Sequence, residues 1–224
     1  MTSDIEPFAV RDCALIAIAT GKRAQNLREL RELLRDIDLN CIYYHFWGGL
    51  LRPRFDNPEY HNDFAIWIAH SLHNKILAER LAVIDPVVYE SLEDLRGELI
   101  DIIEESLDET EYPLWANRDD QFEFIRSQTV VFDANVSVKH PAEFTELLPR
   151  MSPGSIFFHF IDGRRRNANG IDDFRNWLLL YFGDEYHGLI ELIHCIDPYF
   201  SSLIELRDQL SKIFASYFEG ETGD

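Results

Sequence analysis

His45 and His159 lie in closely similar strings, IYYHFWGGLLR over Ile42–Arg52 and IFFHFIDGRRR over Ile156–Arg166. Seven residues after each histidine comes an arginine, Arg52 or Arg166. An aspartate follows, Asp63 or Asp173, opening Asp-Phe-x-x-Trp. A histidine can transfer a proton near neutral pH, and a carboxylate on its other ring nitrogen fixes its tautomer. An arginine can clamp a phosphate or carboxylate with paired N–H donors. His45, Arg52, Asp63, His159, Arg166 and Asp173 are therefore the candidate ligand-binding residues, arranged as one pocket in each half or one shared pocket. A plainer reading stands beside this one. The histidines would be hydrogen-bonded in a core, the aspartates would sit at helix starts favoured by the dipole, and the arginines would pair with abundant acids. On a helix, residues seven apart share a face, and Gly49 or Gly163 falls on that face too. Glycine weakens a helix there but lets another backbone or a ligand come close.

Other chemistry is not visible. Thr20-Gly21-Lys22-Arg23 lacks the spaced glycines of a phosphate loop, and no Gly-x-Ser-x-Gly elbow occurs. His70 and His73 are three apart, and Glu191-x-x-His194 stands alone, with Ala82 at the position matching His194. A di-metal carboxylate bundle needs that motif twice. No metal and no cofactor is expected, and no catalytic residue is assigned. Cys13, Cys41 and Cys195 form no metal spacing and are expected as reduced, buried thiols. The run Arg164-Arg165-Arg166 reads as a local anion site or as a solvated face paired with acids. Loop Pro53–Asn62 carries Asp56, Glu59, Tyr60 and His61, and four of its residues have no counterpart in the second half.

The chain matches itself. Arg31–Arg52 aligns with Thr145–Arg166 at an offset of 114, Asn62–Trp67 with Asp172–Trp177 at 110, Ile84–Pro86 with Ile196–Pro198 at 112, and Ser91–Leu99 with Ser202–Leu210 at 111. With only two long copies, this is a duplicated domain instead of a solenoid. The expected domains are a first repeat over 1–107, a linker over 108–121 and a second repeat over 122–224, packed as one compact unit. Pro113 and polar residues break the linker, and Trp115 suggests it is pinned to the body.

Each half reads in one order. A strand at Ala14–Ala19 or Thr129–Phe132 leads to a helix at Ala24–Arg35 or Ala142–Arg150, the latter with Pro141 at its first position. The quoted string follows as a helix, with a strand for its first part as the competing assignment. An amphipathic helix then buries Phe64, Trp67, Ile68 and Leu72, or Phe174, Trp177, Leu178 and Phe182. A further helix stops at Ile-Asp-Pro. The last opens on a capping box, Ser91-x-x-Asp94 or Ser202-x-x-Glu205. The fold class is mostly α (α+β). Two homologous helical halves are related by a pseudo-twofold axis, and one short strand from each could pair into a small sheet.

The string Tyr-His-Phe-x-x-Gly-x-x-Arg, followed by Asp-Phe-x-x-Trp and Ile-Asp-Pro, resembles a family of duplicated, soluble bacterial and archaeal proteins described as a domain of unknown function. The likeness covers about Phe8 to Phe218. It implies the duplication and a soluble intracellular setting, and it implies no activity, cofactor or catalytic residue.

Composition narrows the partners. A net charge of −19, from 40 acids against 21 basic residues, repels phosphate backbones and anionic membrane surfaces. Of the basic residues only Lys22, Lys75, Lys139 and Lys212 are lysines, a bias that suits a salty cytoplasm or a GC-rich genome alike. The start, Met1–Pro7, has no signal-peptide character, and the longest apolar run, Cys13–Ala19, is too short to span a bilayer. The expectation is a cytoplasmic binding or regulatory protein. Its partner would be another protein or a small anionic ligand, neither nucleic acid nor membrane, and a homodimer is allowed for. The rival is an enzyme acting on an anionic or sugar-like small molecule through the paired His/Arg/Asp sets.

Overall fold

Two strands of equal length, β1 over Phe8–Ala24 and β2 over Phe122–Val138, pair as a two-stranded sheet. The computed structural model describes residues 6–51, 60–109, 114–198 and 201–221. The strands are far longer than the six- and four-residue runs legible in the sequence, Ala14–Ala19 and Thr129–Phe132. Polar residues flank those runs, and the opening of each strand is buried only at Phe8, Val10 and Cys13, or Phe122, Phe124 and Ser127. Such a pattern is partly alternating and mostly supplied by distant neighbours, so period counting in one segment misses it.

Between the strands lie α1 (Leu27–Asp36), α2 (Leu39–Trp47), α3 (Asp63–His70), α4 (Lys75–Ala82) and α5 (Leu92–Glu109). After β2 come α6 (Phe144–Leu147), α7 (Pro153–Ile156), α8 (Gly163–Arg166), α9 (Asp173–Phe182), α10 (His187–His194) and α11 (Leu203–Glu221). Local chemistry starts most of them. The side chains of Asn26, Asn62, Asn74 and Asp172 accept from backbone N–H groups in the first turns of α1, α3, α4 and α9. Ser202 and Glu205 form a reciprocal capping box at α11, with Ser202 N–H on the Glu205 carboxylate and Glu205 N–H on the Ser202 hydroxyl.

The segment expected as one helix over Ala142–Arg150 is broken. Pro141–Glu143 is a 3-10 turn with Pro at its start, α6 is a single α turn, and Leu148–Arg150 returns to 3-10. Pro149 explains the break, because it supplies no N–H to continue an α ladder. The two histidine strings also differ. After α2 the chain tightens to a 3-10 turn over Gly48–Leu51, whereas after α7 it widens to a π-helical turn over Phe157–Asp162. Cys195 is exposed, a correction to the expectation of three buried thiols. Burial, with smaller contributions from Asp162 and Asp12, pushes the Cys13 thiol up to about 12, which leaves it inert as a nucleophile. In the linker Trp115 is 59% exposed. The backbone does the pinning there: Ala116 N–H donates to the Gln25 carbonyl at 2.8 Å, and Trp115 bridges Asn26.

The chain folds as two compact units. One comprises Leu15–Thr129, and the other Met1–Ala14 with Val130–Asp224. We call them the middle unit and the terminal unit. In the middle unit the Phe122 ring stacks on Phe64 at 5.0 Å, and Trp67 Nε1–H donates to the Asp120 carbonyl at 2.7 Å. In the terminal unit the Phe8 ring stacks on Phe174 at 5.3 Å, and Trp177 Nε1–H donates to the Glu6 carbonyl at 2.8 Å. The opening of β1 is thus seated on α9, far along the chain, and the opening of β2 on α3. Phe144 and Phe214 complete the aromatic cluster around Phe174. Among the described residues no helix is long and apolar enough to cross a membrane.

The approach of β1 to α7 fixes one residue type. A Cβ on Gly154 would fall 2.3 Å from Asp12 Oδ1 and 2.4 Å from the Cys13 carbonyl oxygen. Gly97, inside α5, has open space where its Cβ would be. Gly154→Ala is expected to lower stability by about 2 kcal/mol or more through overpacking. Gly97→Ala is expected to raise it by up to about 1 kcal/mol through helix propensity. The shift of the urea midpoint for each variant checks both signs.

Candidate functional site

The two histidines end on one pattern of contacts. His45 is 3% exposed, and its Nδ1 lies 2.9 Å from Asp63 Oδ2. Its Nε2 accepts the backbone N–H of Ile125, in β2, at 3.1 Å. His159, also 3% exposed, has Nδ1 2.7 Å from Asp173 Oδ2, and its Nε2 accepts the backbone N–H of Arg11, in β1, at 2.9 Å. A backbone N–H can only donate, so each Nε2 is unprotonated and each Nδ1 carries the proton given to its aspartate. Phe122 lies 4.7 Å from the His45 ring, and Phe8 lies 4.7 Å from the His159 ring.

Local structure delivers these groups. Asn62 and Asp172 cap α3 and α9, which puts Asp63 and Asp173 at the first helical position, with their carboxylates at the positive end of the dipole. The helix-start part of the plainer reading is what the structure contains. Arg52 lies outside the described residues, as does most of the loop over Pro53–Asn62. Of the candidate residues in the second string, His159, Arg166 and Asp173 come together. Arg166 Nη2 donates to Asp173 Oδ2 and to the Phe158 carbonyl, both at 2.8 Å, and its Nε donates to Asp162 Oδ2 at 2.9 Å. The guanidinium also lies over the Phe158 ring, 3.9 Å from its centroid. Asn167 Nδ2 donates to Asp173 Oδ1 at 3.0 Å. The Asp173 carboxylate therefore accepts from three side chains. Gly163 permits the crowding, since a Cβ there would sit 3.0 Å from the Asp173 amide nitrogen.

Burial pushes the Asp173 carboxyl up, but the hydrogen bonds of His159 and Arg166 outweigh it and hold it below the usual carboxylate range. Burial also works against the Arg166 charge, and Asp173 and Asp162 outweigh it, raising the guanidinium above its ordinary value. This arrangement can order a strand and a turn. It leaves neither ring nitrogen of His159 with a lone pair for substrate, and Nε and Nη2 of Arg166 donate to its own chain.

Two residues of this network were not singled out from the sequence. Asp162, 5% exposed, takes Arg165 and Arg166 at the i+3 and i+4 positions, so two of the three arginines of the basic run are paired with a neighbouring acid. The i, i+4 spacing of acid and arginine was the available signal. Arg175, 6% exposed, donates to the fully buried Asp172 at 2.6 Å, and its Nη1 lies 2.7 Å from His194 Nδ1. A charged residue on the apolar face beside Phe174 and Leu178 was the signal there. The lone Glu-x-x-His therefore places its histidine against an arginine. Among the described residues no cluster of three or more His, Cys, Asp or Glu side chains could hold a metal ion.

Near His45 the middle unit has a shallow depression of about 340 Å³. Asp63, His70, Asp120 and Glu123 contribute to its wall, a largely acidic set that does not suit an anion. The terminal unit has a larger groove of about 500 Å³ between the end of β2, at Val136–Val138, and the broken helix around Ala142–Arg150.

These features define an α+β protein of two units in which buried histidine–aspartate pairs hold strand amides. The chain belongs to a family of unknown function, DUF5752, which it matches over residues 5–215. It is also similar to a solved structure described as the structure of OrfY from Thermoproteus tenax. The identity is 26%, the coverage is 94% of this chain and 95% of that one, and the TM-score is 0.78. No curated protein matches the chain.

Removing His159 strands both a buried carboxylate and a strand amide. His159→Ala is expected to cost about 2–5 kcal/mol, at about 1–3 kcal/mol for each unsatisfied group. His45→Ala is expected to cost less, because the Asp63 side chain is 25% exposed against 16% for Asp173. Urea melts check the order. Amide exchange should accelerate at Arg11 in the first variant and at Ile125 in the second.

Asp173 also sets an acid limb. Its depressed folded-state value means that its contribution is fully present above the ordinary carboxylate pKa. The contribution is lost as pH falls through the lowered value. In Asp173→Asn the loss of stability between about pH 4 and pH 2 should be shallower than in the parent protein. Chemical melts across that range read it, and parallel acid limbs would count against the assignment.

Proposed function

We propose that the protein is a soluble, intracellular binding or regulatory protein, built by internal duplication, that catalyses no reaction through its histidines. The observation carrying this reading is that all four ring nitrogens of His45 and His159 bond to groups of the protein itself. A general base needs a free lone pair within reach of substrate, and a general acid needs a proton not already committed. An Arg166 already held by Asp162, Asp173 and the Phe158 carbonyl likewise suits structural service better than capture of an anion.

Several coincidences support the duplication. β1 and β2 begin and end 114 residues apart, the offset of the histidine strings. Their positive-φ residues, Gly21 at 74° and Asn135 at 55°, keep the same spacing. So do the two tryptophan acceptors, the carbonyls of Glu6 and Asp120. We take 1–107 and 122–224 as the two repeats, joined by 108–121 and related by a pseudo-twofold axis. The opening of each repeat's strand is then seated on the helices of the other repeat. This exchange commits the polar set that recurs in both repeats to assembly, which favours a scaffold presenting surfaces over a catalyst.

The test is a turnover screen followed by phosphorus and proton NMR, using sugar phosphates, nucleotides and small carboxylates as substrates. The expected result is no conversion above the protein-free control, with His45 and His159 both in the Nδ1–H tautomer in long-range ¹H–¹⁵N spectra. Turnover by the parent protein that disappears in a folded His159→Gln variant would replace this reading with the enzymatic one.

A further inference from the structure

The turn between α8 and α9 holds a reactive pair that the histidine network does not use. Asn169-Gly170 is the chain's single Asn-Gly step, and both residues are exposed. Gly170 has φ 69°, and nothing lies within 4 Å of where its Cβ would be, so the approach to its nitrogen is open. The Asn169 side chain is folded back along the main chain, because its Oδ1 accepts the Ile171 N–H at 3.4 Å. That contact polarises the side-chain carbonyl and turns Cγ toward the Gly170 nitrogen, which lies between the two bonded groups in the chain. Two bonds restrain the pair: Gly170 N–H donates to the Asn167 carbonyl at 3.0 Å, and Asn169 Nδ2 donates to Asn176 Oδ1 at 2.9 Å. Both belong to an exposed turn, where local opening costs little.

Elsewhere the structure blocks the same geometry. Asp162-Gly163 is buried at the end of the π-helical turn, where the backbone is fixed. Asn26, Asn62 and Asn74 are committed as helix caps. Asn135 precedes Val136, whose branched side chain shields the following nitrogen.

We propose that Asn169 is a modification site, at which the chain deamidates itself with water as the only co-reactant. The Gly170 backbone nitrogen attacks Asn169 Cγ and gives up its proton. The Cγ–Nδ2 bond breaks, and ammonia leaves with that proton. A cyclic succinimide remains. Water then opens the ring at either carbonyl, and nothing is oxidised or reduced. Opening at the Cγ carbonyl gives ordinary aspartate. Opening at the main-chain carbonyl gives isoaspartate, in which the main chain runs through the side-chain carbons and is one carbon longer. The longer turn disturbs the terminal unit through Asn167, whose Nδ2 donates to the Ile171 carbonyl at 2.8 Å and to Asp173 Oδ1 at 3.0 Å. Displacing it strips a donor from the carboxylate that holds His159. The modification therefore acts as a slow chemical clock on the stability of this unit.

Prolonged incubation of the protein in mildly alkaline buffer tests this, with peptide mapping by electron-transfer fragmentation and urea melts before and after. Asn169 should convert ahead of every other asparagine, with isoaspartate as the major product, and the aged protein should have a lower urea midpoint than the fresh one. Asn169→Gln, whose longer side chain disfavours the ring, should keep both its amide and its fresh midpoint. Fresh Asn169→Asp carries the new charge without the longer main chain and should melt close to the parent. An Asn169 still fully amidated at the end, faster conversion at another asparagine, or a converted protein with the fresh midpoint would each overturn the proposal. So would an Asn169→Gln that loses as much stability on ageing as the parent, or a fresh Asn169→Asp as unstable as the aged protein.

Discussion

A strand N–H donating into the rear nitrogen of a buried imidazole is the contact on which both units depend. Arg11 supplies it to His159, and Ile125 supplies it to His45. An unsatisfied N–H in that position would cost free energy comparable to a lost hydrogen bond. The aspartate on the other nitrogen makes the contact one-sided, since it fixes the proton at Nδ1 and leaves Nε2 to accept. The neighbouring phenylalanine, Phe8 or Phe122, then supplies the apolar burial that directionality alone cannot. Polar register and apolar packing fall within a few residues of one another on each strand.

The terminal unit elaborates this plan with charge. The π-helical turn carries Asp162 into the interior, where it draws in Arg165 and Arg166. Asp172 and Arg175 form a second ion pair, almost wholly buried. The sequence-aligned positions in the middle unit are Gly48, Asn62 and Ala65, none of which is ionisable. A buried ion pair is weak evidence for stability, because desolvation offsets much of the attraction. Removing one partner is costly all the same, so such pairs narrow the arrangements open to the unit. The middle unit reaches a comparable core with neutral groups, Asn62 bonding the Leu81 carbonyl in place of an arginine.

Several elements could be read from the residues. The caps at Ser91 and Ser202, the stop at Ile-Asp-Pro and the aromatic face of α9 are local signals, acting within one or two turns. The pairing of His45 with Asp63 and of His159 with Asp173 was also foreseeable, because each aspartate opens the helix that follows its histidine, 18 residues on in one case and 14 in the other. Other features resisted. The long strands lacked a clean two-residue period, since much of their length is exposed. The division of the helix around Pro149, and the π-helical turn, depend on how many backbone bonds each turn can place once packed.

The sequence by itself determined which side chains could meet: two histidines, two aspartates at helix starts and an apolar face beside each. Only the tertiary structure decided what the histidines do. Their second partner is a backbone amide 148 residues away in one case and 80 in the other. Every residue except proline has such an amide, so nothing in the identity of Arg11 or Ile125 marks it as a donor. Whether an imidazole keeps a free nitrogen for chemistry or gives it to a strand is therefore settled by where the chain returns, and composition and spacing carry no record of that.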